Sequence, residues 1–293
     1  MKVQPMKTSQ NAIPIDAALP RRRPLGSYLA EARGLGDADL ERIAACQDER
    51  ALRFGEAAVA LGLATEADVL EALAAQFDCP AKLQDVDAEL VVAADPSGPQ
   101  AEAFRELRSR LLLEALSASA PFTLAVVSSH GGDGRTYLAA NLAAAFSQLG
   151  SRTLLIEADL RAPRLAALLR LQGGAGLSNV LAGLAEAGEA LRRVSALRNL
   201  WLLPAGALPP NPLELLQRPA FAELLSAMKE RFDHVIIDTA AASRGADCRV
   251  VAARCEASLV LARRDETRLA ALSALVDSLE RTTTIAGVVM NER

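Results

Sequence analysis

The sequence predicts a doubly wound α/β domain on a parallel sheet, preceded by a small all-helical module of two tandem repeats. Three observations carry this expectation. From Phe122 onward, short apolar runs at 123–127, 153–156, 200–203, 235–237, 258–262 and 287–290 alternate with stretches long enough for helices. Several of these runs are rich in Val and Ile and apolar on both faces, as strands covered on both sides must be. Upstream, Gly26 and Gly55 are separated by 29 residues, as are Gln47 and Gln76, which marks an internal repeat.

The chain has 293 residues, of which 51% are apolar and 23% charged, enough to bury a full core in about two domains. Its formal net charge of −4 argues against a general nucleic-acid coat, which needs a basic surface. The apolar content is mostly Ala and Leu, and aromatics are only 3%, a helix-favouring balance. The four cysteines, Cys46, Cys79, Cys248 and Cys255, form no CxxC pair and match no zinc or disulfide spacing, so a reduced compartment is expected. No run reaches the ~20 apolar residues that span a bilayer. The nearest, 137–151, contains Asn141, Ser147 and Gln148. With no apolar run at the N-terminus, a cytoplasmic protein is expected.

In chain order, residues 1–23 read as a disordered tail with three prolines and the run Arg21, Arg22, Arg23, a solvated charge run or a contact for anionic lipid. Residues 24–79 hold the repeat. In its second copy Gly62 breaks the chain, Thr65 with Asp68 forms a capping box, and Val69, Ala72, Leu73 and Gln76 share a helical face. Two stacked helix pairs are expected. Pro80, Pro96, Ser97, Gly98 and Pro99 mark 80–100 as a linker, a helix follows over 101–117, and the α/β domain occupies 101–293.

The first apolar run ends in Ser128-Ser129-His130-Gly131-Gly132-Asp133-Gly134-Arg135-Thr136, and a helix with Leu138, Ala139, Leu142 and Phe146 begins at once. A glycine-rich turn between strand and helix turns backbone N–H groups toward one point, where the helix N-terminus adds partial positive charge. Against the phosphate-loop consensus G-x-x-x-x-G-K-[ST], Ser129 fills the first glycine slot, Gly134 the second, Arg135 the lysine, and Thr136 supplies a hydroxyl for Mg²⁺. The expected nucleotide contacts are Gly131, Gly132, Asp133, Gly134, Arg135, Thr136 and Tyr137. A turn that serves strand–helix packing alone is the alternative. Glu157, Asp159 and Asp238 also stand at strand ends, where open α/β sheets bind ligands, and three acids beside a phosphate cradle suit Mg²⁺. The fold expectation sharpens to a P-loop NTPase-like sheet.

Here the sequence resembles the bacterial tyrosine kinases of polysaccharide assembly (BY-kinases), which use Walker A, A′ and B motifs. The D-x-D-x-R pattern of A′ is matched by Glu157-Ala158-Asp159-Leu160-Arg161, and Walker B by Val235-Ile236-Ile237-Asp238-Thr239. Glu102-x-x-Arg105-x-x-Arg108 resembles the family's E-x-x-R-x-x-R assembly helix. Gly176-Leu177-Ser178 and Pro209-Pro210-Asn211-Pro212 also resemble family segments. The likeness covers 101–293, about two thirds of the chain, and is strongest to exopolysaccharide chain-length-determinant autokinases. The repeat resembles the N-terminal domain of type II secretion ATPases, whose tandem motif binds cyclic di-GMP.

The resemblance implies Mg-ATP on the loop, with Thr136, Asp159 and Asp238 at the metal. It implies Glu157, Asp159 and Arg135 as catalytic groups, and a homo-oligomeric ring through Glu102, Arg105 and Arg108. It also implies a membrane-embedded co-polymerase or chain-length partner on a separate polypeptide, which would recruit the protein to the inner membrane face. Arg53, Gly55, Gly62 and Gln76 would take cyclic di-GMP, with a purely structural helical adaptor as the alternative.

Three departures from the family pattern leave two functions open. Arg135 replaces a lysine, and the two are not interchangeable. Glu157 is a methylene longer than the family aspartate proposed as base. The only tyrosines are Tyr28 and Tyr137, and the sequence stops at Arg293 without a tyrosine cluster. The chain is either a tyrosine (auto)kinase regulating polysaccharide polymerisation, chain length and export, or a nucleotide-responsive adaptor with weakened phosphotransfer. A partitioning-type ATPase with a deviant Walker A is a third reading, for which His130 stands where a signature lysine is required.

Overall fold

The computed structural model describes residues 24–76, 86–115 and 121–292. The expected basic tail over 1–23, Cys79 and residues 80–85 of the expected linker lie outside the described residues. The repeat forms four helices, α1 (Leu25–Arg33), α2 (Asp37–Arg50), α3 (Phe54–Ala60) and α4 (Glu66–Gln76). The Thr65–Asp68 box closes as expected: the Thr65 N–H donates to Asp68 Oδ2 at 2.7 Å and the Asp68 N–H donates to Thr65 Oγ1 at 3.2 Å. Leu29, Ile43, Ala57, Ala58 and Ala72 form its small core. The repeated glycines are contact points. A Cβ on Gly26 would come 2.9 Å from the Phe54 ring, and one on Gly55 would come 2.6 Å from Val69 Cγ1.

Residues 86–100 are not a spacer, which corrects the expected linker. A short helix α5 (Val91–Ala94) is buried in the α/β core, and Pro99 opens α6 (Pro99–Arg110) instead of ending a loop. The prolines and glycine at 96–99 make a tight turn between two packed helices, and Leu90-Val91-Val92-Ala93 is the apolar stretch they disguise. A π-helical turn, Leu111–Ala115, extends α6. The next helix, α7 (Arg135–Ser147), is buried all round. Its polar residues are bonded to the α5 segment: Asn141 Oδ1 accepts from the Val92 N–H at 3.1 Å, Asn141 Nδ2 donates to Glu89 O at 2.8 Å, and Gln148 Nε2 donates to Val92 O at 3.2 Å.

Seven strands form one sheet: β1 (Phe122–Ser128), β2 (Thr153–Glu157), β3 (Arg192–Arg193), β4 (Leu200–Leu203), β5 (His234–Asp238), β6 (Ala257–Arg263) and β7 (Thr284–Asn291). Their order is β3-β4-β2-β5-β1-β6-β7, parallel except for the β3–β4 edge pair. The two-arginine β3 has no apolar pattern by which a strand is recognised. The two-residue side-chain period splits the core. Leu124, Val126, Leu155 and Ile236 face α5 and α7, while Ala125, Val127, Leu154, Ile156, Val235 and Ile237 face the helices at 212–229 and 247–252. By the same alternation Glu157 and Asp238, register partners on adjacent strands, share the α7 face. The chain reverses direction across the sheet at β1, so the crevice above β1 and β5 is the expected ligand site.

Two expectations follow. Gly55→Ala drives a methyl into Val69 and should destabilise the helical module by about 1–3 kcal/mol, read as a lower urea midpoint by helical circular dichroism. His234 packs between the Phe122 and Phe146 rings, each centroid 4.7 Å away, and burial lowers its pKa to about 4. The unfolded histidine binds a proton below its ordinary value near 6.5 and the native one does not until about pH 4. Its contribution to stability is therefore complete above pH 6.5 and lost as pH falls through that window. Wild type should lose up to about 2 kcal/mol more than His234→Phe between pH 6.5 and 5, read from urea midpoints at the two values.

Candidate functional site

Between β1 and α7 the chain turns sharply over residues 129–134. Gly132 and Gly134 have φ of +88° and +103°, values that side-chain-bearing residues rarely adopt. Gly134 is also hemmed in, since a Cβ there would lie 2.6 Å from Asn291 Nδ2. Asp133 turns its carboxylate back into the loop, where Oδ2 accepts from the His130 N–H at 2.9 Å. Asn291, at the end of β7, donates to Asp133 O at 2.9 Å. Asp133 and Asn291 therefore shape the turn. Tyr137 lies edge-on against Phe104 and, with Gly134, Leu138, Leu261 and Met290, lines a cavity of about 540 Å³ beside the turn.

Thr136 and Asp238 meet at the foot of the turn, where Thr136 Oγ1 donates to Asp238 Oδ2 at 2.7 Å. The other oxygen, Oδ1, is buried and has no hydrogen-bond partner among the described residues. Burial first, then the nearby charges of Asp159 and Glu157, push the Asp238 carboxyl up to about 7, against the pull of Thr136 and Arg135. An orphaned carboxylate oxygen beside a hydroxyl, crowded by two further acids, suits a hard cation. The described residues hold no cluster of three or more His, Cys, Asp or Glu able to bind a metal alone.

The structure relocates two of the expected catalytic groups. Arg135 does not reach outward from the loop. Its guanidinium is buried, with Nε donating to Thr239 O at 2.8 Å and Nη1 to His130 O at 2.7 Å and to Ser128 Oγ. The planar fork joins the beginning of the loop to the end of β5, which the point charge of a lysine cannot do. Glu157 is also held: Oε1 accepts from the Leu165 N–H at 2.5 Å and Oε2 from the Ala205 N–H at 3.0 Å. Burial raises its pKa despite these bonds, and the Asp159 charge adds to the rise. Asp159 Oδ1 accepts from the Arg161 and Ala162 N–H groups at 3.1 and 3.0 Å.

A pair that the motif reading missed links two site segments. Arg161, from the A′ segment, grips Asp247 with Nε at 2.9 Å and Nη2 at 3.2 Å. No spacing connects residues that far apart, and only the burial of Asp247 marks it.

On α6, Arg105 pairs with Glu102 at 2.9 Å and donates to Pro96 O at 2.5 Å, while Arg108 donates to Ala145 O at 2.7 Å. Both arginines thus make bonds within the chain, where the sequence expectation had the trio turned to a neighbour. In the repeat, Gly55 is a packing glycine and Gly62 a left-handed helix terminator at φ +67°. Arg53 is exposed, and the Gln76 side chain lies outside the described residues.

The AAA domain family matches residues 122–282, more than half of the chain. Tyrosine-protein kinase CpsD of Streptococcus pneumoniae is 29% identical over 97 residues, 33% of this chain and 43% of that protein. Tyrosine-protein kinase wzc of Salmonella typhi is 31% identical over 204 residues, 69% of this chain and 28% of that protein. The chain thus spans less than half the length of either relative. The solved kinase domain of Escherichia coli tyrosine kinase ETK superposes with a TM-score of 0.66 at 28% identity, over 69% of this chain and 79% of that domain. With its loop, its paired Thr136 and Asp238 and its A′ acids in place, this chain belongs to the AAA domain family, among the bacterial tyrosine kinases of the exopolysaccharide type.

Proposed function

We propose that this chain binds Mg-ATP over residues 131–137 and regulates exopolysaccharide polymerisation, chain length and export through its nucleotide state. The observation that carries this is the Thr136–Asp238 pair with its orphaned Asp238 oxygen at the foot of a loop built on left-handed glycines. Thr136 and Asp238 would hold Mg²⁺, with Asp159 behind them. The loop amides would hold the phosphates, and the cavity beside Tyr137 and Asn291 would take the base. Bound Mg²⁺ would supply charge neutralisation on the phosphates, and positioning by the loop does the rest.

The kinase reading assigns Glu157 as the base toward a tyrosine hydroxyl. A specific observation favours the adaptor reading instead: both Glu157 oxygens are already taken by the Leu165 and Ala205 amides. Neither tyrosine is fully exposed. Tyr137 packs on Phe104, and Tyr28 is 9% exposed beneath the Arg198 guanidinium, 5.3 Å from its ring. In either reading the partner is a membrane-embedded co-polymerase or chain-length protein that recruits the chain to the inner membrane face. No helix among the described residues is long and apolar enough to cross a membrane. A homo-oligomer through α6 would present the exposed Glu102 edge. The close packing of Gly55 on Val69 and the left-handed φ of Gly62 favour a structural role for the helical module over a cyclic di-GMP site.

Incubation with labelled ATP separates the readings. Retention of ATP without label on tyrosine would establish the adaptor and sink the kinase. Label that disappears in Glu157→Ala would do the reverse. Asp238→Asn should weaken Mg-ATP at least about tenfold in either case, read as loss of the nucleotide-induced rise in melting temperature. Arg135→Ala should cost on the order of 3 kcal/mol without any nucleotide, because it leaves buried acceptors unpaired, read as a lower urea midpoint of the apo protein.

A further inference from the structure

We propose that Arg244 is the side chain that meets the terminal phosphate of the bound nucleotide, the task that Arg135 has given up. The inference rests on the Mg-ATP reading above and adds a residue outside the recognised motifs. A nucleoside triphosphate concentrates negative charge at its distal end, and phosphoryl-transfer sites meet it with a cation in addition to the metal. Arg135 stands in the sequence slot for that cation, yet its guanidinium lies beneath the turn on Thr239 O, His130 O and Ser128 Oγ.

Arg244 reaches the same turn from the segment after β5. It ends the single 3₁₀ turn Ala242–Arg244 that follows β5. That turn is bonded to the loop, since the Ser243 N–H donates to Ser129 O at 2.9 Å. A Cβ built on Gly131 would lie 3.7 Å from Arg244 Nη2 and 3.8 Å from Nε, so the guanidinium stands over the loop backbone. Three residues further on, the bidentate Arg161–Asp247 pair ties the segment to the A′ strand end. Arg244 is therefore carried on a short segment anchored at both ends to the site.

The Arg244 side chain itself is exposed and makes no hydrogen bond or ion pair among the described residues. An arginine fork with free donors, held over glycine amides, is suited to two oxygens of one phosphate.

The test measures Mg-ATP and Mg-ADP affinity on the full chain for wild type, Arg244→Ala and Arg244→Lys, with the melting temperature of each nucleotide-free protein. Arg244→Ala should bind ATP about tenfold more weakly, bind ADP within about twofold of wild type, and melt unchanged without nucleotide. Arg244→Lys should fall between the two, because it keeps charge and loses the fork. ATP affinity equal to wild type in Arg244→Ala, or an equal loss for ATP and ADP, would overturn the assignment alone. A lower melting temperature in the nucleotide-free alanine variant would show a structural role and overturn it as well. Wild-type protein that binds neither nucleotide would overturn the Mg-ATP reading, and this assignment with it.

Discussion

The site depends on one constraint, the cost of placing carboxylates where water cannot reach them. Glu157 and Asp238 end adjacent strands in register and share one face, so the sheet brings them together whether or not their charges agree. Each solution is local. Glu157 is satisfied by two backbone amides from separate loops, which fixes those loops relative to the sheet. Asp238 takes one hydrogen bond from Thr136 and keeps its second oxygen unmet. Buried polar groups are almost always paired, and among the unmet ones Asp238 Oδ1 is the one that lies beside the Thr136 hydroxyl at the foot of the loop. The satisfied acid fixes loops, and on the proposed reading the unsatisfied one is left for the metal.

The same logic explains the arginine in the loop. A lysine has three donors on one nitrogen and serves one point well. A guanidinium has five donors in a plane and can join several acceptors at once. Arg135 takes the second option, fastening the beginning of the loop, through Ser128 and His130, to Thr239 beyond β5. The loop is preorganised from within, at the expense of the outward positive charge that the motif ordinarily provides.

Much of the fold was legible in the sequence because its signals are periodic. Apolar runs and glycine turns marked β1, β2 and β4–β7, and the Thr65–Asp68 box marked the start of α4. The failures have physical causes. The β3 edge consists of two arginines, which pair through backbone alone. The α5 segment was hidden because prolines on both sides suggested a spacer, whereas its burial depends on Asn141 and Gln148 far away in sequence. In the site, Thr136 and Asp238 were readable as positions, but the directions of Arg135 and Glu157 were not. A motif gives the residue and its place on the strand end. The groups that turn these side chains inward, the Leu165 and Ala205 N–H donors for Glu157 and the Thr239 carbonyl for Arg135, belong to no pattern local to either residue.

The Asn141 and Gln148 bonds bear on how events at the loop are felt elsewhere. Helix α7 starts at Arg135 and runs as a rod of 13 residues, about 20 Å. Its middle and far end grip the main chain at Glu89 and Val92, the stretch by which the α/β domain continues back toward the helical module. Helix α7 therefore ties the loop at its near end to the Glu89–Val92 main chain at its middle and far end by directional bonds, where apolar packing alone would let the two slide.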